Sequence, residues 1–430
     1  MVVEMARGGR FAEIRELFVP ALRPMVSPAA LQATWEHELD QKGEITAIGE
    51  PRSEPSGPIT VVRLPISCEH NGLTLVASVS GAGLLAGLQL AAPEASEPPA
   101  PWEPPDYADP ASFDEEDVTV GDGPLAVPGT LSLPRRPGPH LAVVVLAGSG
   151  PLDRDETMGR NQPLRDLAWG LATCGVGVLR FDKVTFAHPA EVKQAPGFTL
   201  ADEYLPHATA AVELLRHHLD VDPTRVFLLG HSLGGTVAPR VAVASGPIAG
   251  LVIMAGGAQP LQWAVVRQAR YLAALHPEQA AAPEPGIVAL VEQARQVDST
   301  ELSPSTPSST LPLGVPAPYW LDLRSYDPVA VAASLECPML VLQGGRDYQV
   351  TVDDDLARWK TGLTGHPDVM VRVYPADNHL FFPGSGPSSP AEYEPAQHVD
   401  PAVVADIAAW LERAPPRLVD TPRDRGHRPS

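Results

Sequence analysis

The chain has 430 residues, with 31 Lys and Arg against 52 Asp and Glu, a formal net charge of −21. Such a polyanion repels phosphate backbones and anionic lipid, which disfavours a general nucleic-acid or membrane-surface role. No run approaches about 18 apolar residues, and the first ten residues lack the apolar core of a signal peptide, so a cytoplasmic setting is expected.

Two helical patterns open the chain, about 11–22 and 28–39, the second with Ser27 as cap and Pro28 in its first turn. Strand candidates follow at about 44–49, 59–68, 73–79 and 84–90. His70-Asn71-Gly72 joins the middle two, and Asn-Gly there suits a type I′ hairpin. Helices followed by an antiparallel sheet predict a small α+β domain over residues 1–91, similar to the cone-shaped folds related to nuclear transport factor. It has no convergent polar cluster, so packing or homodimer assembly is its expected use. Residues 92–117 are rich in proline and acid, which extends a chain, and read as a linker.

From 118 to 414 strands alternate with helices. Strands are expected at 141–146, 177–181, 226–229, 251–254, 339–343 and 369–374, and helices at 164–174, 201–218 and after Ser232. The alternation predicts a doubly wound, mainly parallel sheet with its site at the strands' carboxyl ends. An insertion at about 258–325 reads as a helical cap, with helical patterns at 261–275 and 287–296 and a Pro/Ser-rich stretch at 299–318. Its Trp263, Tyr271, Tyr319 and Trp320 are candidate pocket walls. Residues 415–430 form a polar tail. Cys68, Cys174 and Cys337 make no C-x-x-C pair and are expected to be reduced, buried packing residues.

The chemistry concentrates in a few loops. The apolar run Val226-Phe227-Leu228-Leu229 turns through Gly230-His231-Ser232-Leu233-Gly234 into a helix-compatible stretch, the context in which G-x-S-x-G is a nucleophile elbow. Ser232 is the candidate nucleophile. A serine needs a histidine base and a carboxylate to orient it, in the order Ser, Asp, His. Asp347 follows the strand at 339–343, and His379 follows the one at 369–374. The competing residues are His398 for the base and Asp377 for the acid. His217 and His218 read as solvated, His231 as packing inside the elbow, and Asp353, Asp354 and Asp355 as a helix N-terminus.

A glycine-bracketed loop after the strand at 141–146, Ala147-Gly148-Ser149-Gly150, lets backbone amides approach a developing alkoxide. Gly148 and Gly150 shape it, and the amides of Ser149 and Leu233 are the expected oxyanion donors. Asp153, Arg154, Asp155 and Glu156 are expected to brace the loop through mutual ion pairs. There is no H-E-x-x-H and no P-loop, and Gly81 to Gly87 has the wrong spacing for a dinucleotide fingerprint, so neither metal nor cofactor is expected.

Taken in order, the segments 147–157, Arg180-Phe181-Asp182-Lys183, 230–235, 342–350 and Asn378-His379-Leu380-Phe381 resemble the bacterial α/β-hydrolase family of EstD-type carboxylesterases and serine aminopeptidase-like hydrolases. The resemblance implies the α/β-hydrolase fold, nucleophile Ser232, acid Asp347, base His379 and an oxyanion loop at 148–150; it says little about substrate, for which a small-molecule acyl ester is expected. Members often carry a small α+β domain ahead of the hydrolase. Amide, peptide or thioester hydrolysis and acyl transfer would use the same residues, and a non-catalytic binding protein on this fold is the reading from another class. Ala147 departs from the pattern, since relatives commonly have histidine there.

Overall fold

The computed structural model describes residues 1–20, 22–23, 26–56, 59–70, 72–91, 102–195, 197–275 and 285–417. These pack as two units. One comprises Met1–Pro101, Ala281–Gln293 and Pro307–Val315, the other Trp102–Ala280, Ala294–Thr306 and Pro316–Ser430. Part of the insertion expected as a cap is therefore counted with the first unit.

The first unit sets helices α1 (Val2–Arg7), α2 (Phe11–Glu16) and α3 (Pro28–Lys42) on an antiparallel sheet of β1 (Ile45–Ile48), β2 (Arg52–Ser56), β3 (Ile59–Cys68), β4 (Gly72–Ser80) and β5 (Leu85–Ala91). Val3, Phe11, Ile14, Phe18 and Trp35 bury against Ile66, Leu73, Leu75 and Leu85. The Ser27 side chain caps α3, accepting from Ala30 N at 3.4 Å. The helix expected over 11–22 stops at Glu16 because the next residues pair with β5: Leu85 N donates to Leu17 O and Val19 N to Leu85 O, both at 2.8 Å. The expected two-residue turn is also corrected. Gly72 is the first residue of β4, paired opposite Ser67, and not a turn residue; Asn71 lies outside the described residues.

The second unit is built on an eight-stranded sheet. Its strands are β6 (Phe113–Val120), β7 (Val127–Pro134), β8 (His140–Leu146), β9 (Gly177–Phe181), β10 (Val221–His231), β11 (Gly250–Met254), β12 (Met339–Gly344) and β13 (Val369–Tyr374), in the order β13-β12-β11-β10-β8-β9-β7-β6. The strands from β13 to β9 run parallel, with β7 and β6 antiparallel at one edge. Central strands read as unbroken apolar runs because both faces are covered. Ala142, Val144 and Leu146 join one core with residues of α7 (Leu200–His217) and α8 (Leu233–Ser245), while Val143 and Val145 join another with α4 (Pro163–Thr173) and α14 (Pro401–Arg413). Helix α8 runs through Pro239, and α5 (Val184–Ala187), α6 (Pro189–Gln194), α12 (Pro328–Ala333) and α13 (Ala357–Gly362) are shorter helices of this unit.

The described end of the expected linker is not a spacer. Trp102 Nε1 donates to Asp166 at 2.9 Å, and residues 113–117 are the first part of edge strand β6. The insertion supplies α9 (Leu261–Ala274), α10 (Pro285–Asp298) and α11 (Ala317–Ser325). Cys337 is buried as expected, whereas Cys174 is exposed and Cys68 half-buried.

Candidate active site

Strand β10 ends at His231 and α8 begins at Leu233, leaving Ser232 alone at the corner with φ 53° and ψ −119°. Holding a non-glycine residue there costs on the order of 1–3 kcal/mol, which the packed strand and helix on either side must offset. The flanking glycines are obligatory: a Cβ on Gly230 would lie 2.2 Å from Gly234 O, and one on Gly234 would lie 2.3 Å from Leu146 O. Ser232 N donates to Met254 O at 2.9 Å, which pins the corner to β11.

The carboxylate and imidazole come from the loops after β12 and β13. Asp347 Oδ2 accepts from His379 Nδ1 at 2.7 Å and from Gln343 Nε2 at 3.0 Å, while Oδ1 accepts from the amides of Gln349 and Val350 at 2.8 and 3.0 Å. With Nδ1–H committed to a carboxylate, His379 presents Nε2 as acceptor to Ser232 Oγ at 3.0 Å. Asn378 shapes the histidine loop, its Oδ1 accepting from Leu380 N and Phe382 N at 3.0 and 3.1 Å.

The loop after β8 lies against the elbow, a Cβ on Gly148 being 3.3 Å from Ser232 Cβ. Gly148 N donates to Glu156 Oε2 at 3.1 Å, so this amide, included with the oxyanion loop in the sequence, is already engaged. Gly150, exposed with φ 96°, supplies the turn. The amides of Ser149 and Leu233 have no acceptor among the described residues.

The charged run 153–156 forms its ion pairs with residues outside the run rather than the expected mutual ones. Arg154 forks onto Asp182, Asp155 pairs with Arg180, and the Asp153 side chain accepts from the amides of Asp155 and Thr157. Glu156 Oε1 meets His231 Nδ1 at 2.8 Å, and His231 Nε2 meets the backbone oxygen of His379 at 2.9 Å. Both His231 partners are acceptors, so the ring carries two protons. Burial pulls its pKa down, but the Glu156 carboxylate and the hydrogen bonds carry it above the ordinary value; burial raises Glu156, and His231 with the Gly148 amide takes it below. The sequence assigned His231 to packing and missed this pair.

The rival residues are occupied elsewhere. His398 Nδ1 sits on buried Asp166 at 3.1 Å, and the exposed His217 bonds to Glu213 O at 2.7 Å. His218 Nδ1 accepts from Asp220 N at 3.2 Å. Asp377 is fully buried, its carboxyl pushed up to about 7 by burial and by the neighbouring Asp400. Asp354 is exposed near the start of a helical turn as expected, but Asp355 is buried and accepts from the amides of Ala258 and Gln259 at 2.9 Å.

Of the four aromatic pocket candidates, Tyr271 stacks on Tyr348, the residue after Asp347, at 4.9 Å between ring centroids. Tyr319 directs its hydroxyl to Glu203, and Trp263 donates to Asp298 at 2.7 Å. Trp320 is 0% exposed and offers no surface to a substrate, so it is a packing residue.

The alpha/beta hydrolase family model matches residues 193–396. Esterase EstD of Thermotoga maritima is 33% identical over 390 residues, covering 91% of this chain and 89% of the relative. Among solved structures, the chain is similar to Est1E from Butyrivibrio proteoclasticus (13% identity, 69% of this chain and 98% of that one, TM-score 0.46) and to the Pyrococcus furiosus esterase Pf2001 (17%, 73% and 95%, TM-score 0.43). The extended match to the Thermotoga protein shows the relationship: this chain belongs to the α/β-hydrolase family, in its EstD-type branch.

Proposed function

We propose that the chain hydrolyses carboxylic esters of small molecules through an acyl-enzyme on Ser232. The observation that carries this reading is the continuous line from Asp347 Oδ2 to His379 Nδ1 at 2.7 Å and from His379 Nε2 to Ser232 Oγ at 3.0 Å. Its relative Esterase EstD supports ester bonds as the target.

In the first half-reaction His379 Nε2 takes the hydroxyl proton as Ser232 Oγ attacks the ester carbonyl carbon. The carbonyl oxygen becomes an oxyanion held by the Ser149 and Leu233 amides. Collapse breaks the bond to the alkoxy oxygen, which leaves as the alcohol with the proton from His379. Water then gives a proton to His379 and attacks the acyl carbon; the second collapse returns that proton to Ser232 Oγ and releases the acid. Asp347 holds the tautomer and stabilises the imidazolium without being protonated.

Residues 102–414 would carry this chemistry in a cytoplasmic enzyme, with residues 1–91 as an accessory domain. The test is turnover of p-nitrophenyl acyl esters beside amide and thioester analogues, together with fluorophosphonate labelling. Ester turnover at least tenfold above the analogues is expected. Preference for amide or thioester would move the assignment to those chemistries, and a folded protein that neither turns over nor labels would be a binding protein.

A further inference from the structure

The peptide between Gly148 and Ser149 is gripped at its carbonyl by groups the reaction scheme does not use. Gly148 O accepts from Lys183 Nζ at 2.7 Å and from the Tyr204 hydroxyl at 2.8 Å; the same hydroxyl lies 2.9 Å from Ala147 O. Lys183 spends its other two protons on Tyr204 Oη at 2.9 Å and Glu203 Oε1 at 3.0 Å. Glu203 also accepts from Thr185 at 3.1 Å and from the hydroxyl of Tyr319 on α11. The Lys183 and Glu203 side chains are 3% and 5% exposed. A buried ion pair of this kind is a poor source of net stability, yet here it terminates on one loop carbonyl.

A trans peptide is planar, with C=O and N–H pointing in opposite directions. Anchoring Gly148 O on Lys183 and Tyr204 therefore aims Ser149 N–H away from them. An ammonium on the oxygen also draws density from the amide nitrogen, making its N–H a better donor. At the preceding peptide Glu156 fixes Gly148 N, so the loop cannot rotate about either flank.

We propose that Lys183 and Tyr204 are positioning residues of the oxyanion hole, fixing and polarising the Gly148–Ser149 peptide so that the Ser149 amide is set for the tetrahedral intermediate before substrate arrives. Tyr319, through Glu203, ties the insertion's helix α11 to the same peptide. The inference rests on the Ser232 acyl-enzyme reading above.

The experiment uses the full chain with p-nitrophenyl acetate and an aryl trifluoromethyl ketone, which adds Ser232 Oγ and places an oxyanion in the hole. Tyr204→Phe is expected to lower kcat about tenfold, and Lys183→Met about a hundredfold, with KM changed less than about twofold, because only the transition state uses the donor. Ketone affinity should fall by similar factors, which loss of a merely structural contact would not produce. Folded variants with wild-type kcat and ketone affinity, or a loss confined to KM, would overturn the proposal. If Lys183→Met does not fold by circular dichroism, Tyr204→Phe decides by the same criteria. Ser232→Ala is the control. Turnover surviving there would overturn the acyl-enzyme reading itself, whereas an inactive Ser232→Ala beside unimpaired Tyr204→Phe and Lys183→Met would overturn only the positioning role.

Discussion

Two buried histidine–carboxylate pairs stand side by side, His379 with Asp347 and His231 with Glu156, their rings 4.9 Å apart. Each directs Nδ1 to its carboxylate, at 2.7 and 2.8 Å. They differ at Nε2. His379 faces a serine hydroxyl, which can give up a proton; His231 faces a backbone carbonyl, which can only accept one. The first arrangement can cycle a proton, while the second is a fixed imidazolium joining the elbow, the loop after β8 and the loop bearing His379. What lies at the second nitrogen, rather than burial or the carboxylate, separates a base from a brace.

The largest effect that could break this contrast is at Asp347. Asp347→Asn should lower kcat on the order of 10⁴-fold with the fold intact, a magnitude taken from the worked serine-protease triad. His398→Ala should leave kcat close to wild type, its ring being held on Asp166. A collapse in His398→Ala beside an active Asp347→Asn would remove the present assignment.

His231→Asn sharpens the other half. It strands Glu156 in the interior, and urea unfolding should register a loss of about 3–5 kcal/mol. Turnover should survive at a reduced level, because no proton in the reaction passes through His231. The pH dependence has a definite sign. The raised His231 pKa gives stability that is present below the ordinary histidine value and lost as pH rises through the folded one; the lowered Glu156 pKa gives stability that is present above the ordinary carboxylate value and lost as pH falls. The pair therefore stabilises the fold most between these limits, and His231→Asn should flatten the alkaline decline in urea midpoints.

A smaller effect is expected at Asp377, whose carboxyl is pushed up to about 7. The folded state binds its proton more tightly than the unfolded state does, so this contribution is full below the ordinary carboxylate value and lost as pH rises towards neutrality. Asp377→Asn should raise Tm at pH 8, by about 1–2 °C for each ~1 kcal/mol recovered, and leave it unchanged near pH 3. A lower Tm at pH 8 would contradict this. Smallest of all, EDTA should leave kcat/KM unaltered, since no step in the scheme requires a divalent ion.

Much of this was legible where local chemistry and tertiary demand coincide. An apolar strand meeting Gly-x-Ser-x-Gly reads as an elbow because only glycine fits beside Ser232, and Asp347 and His379 each follow an apolar strand. Other features have no local signature. Glu156 and His231 are 75 positions apart, and Lys183 and Glu203 look like ordinary surface charges until the fold buries them. Strand β6 was hidden by four consecutive acids, Asp114 to Asp117, which this edge strand tolerates because all four stay exposed, with Asp114 and Glu115 meeting Arg135 and Arg180. The end of α2 was set by pairing with β5, a long-range contact that overrides helix propensity.

The most direct test is the rate and site of fluorophosphonate labelling, located by mass spectrometry, in wild type, Ser232→Ala, His379→Ala and His231→Asn. The expected result is a single adduct on Ser232, none in Ser232→Ala, labelling slowed on the order of 10³-fold or more in His379→Ala, and labelling within about tenfold of wild type in folded His231→Asn. An adduct on another residue, or His379→Ala labelling as fast as wild type while His231→Asn does not label, would contradict the division between base and brace.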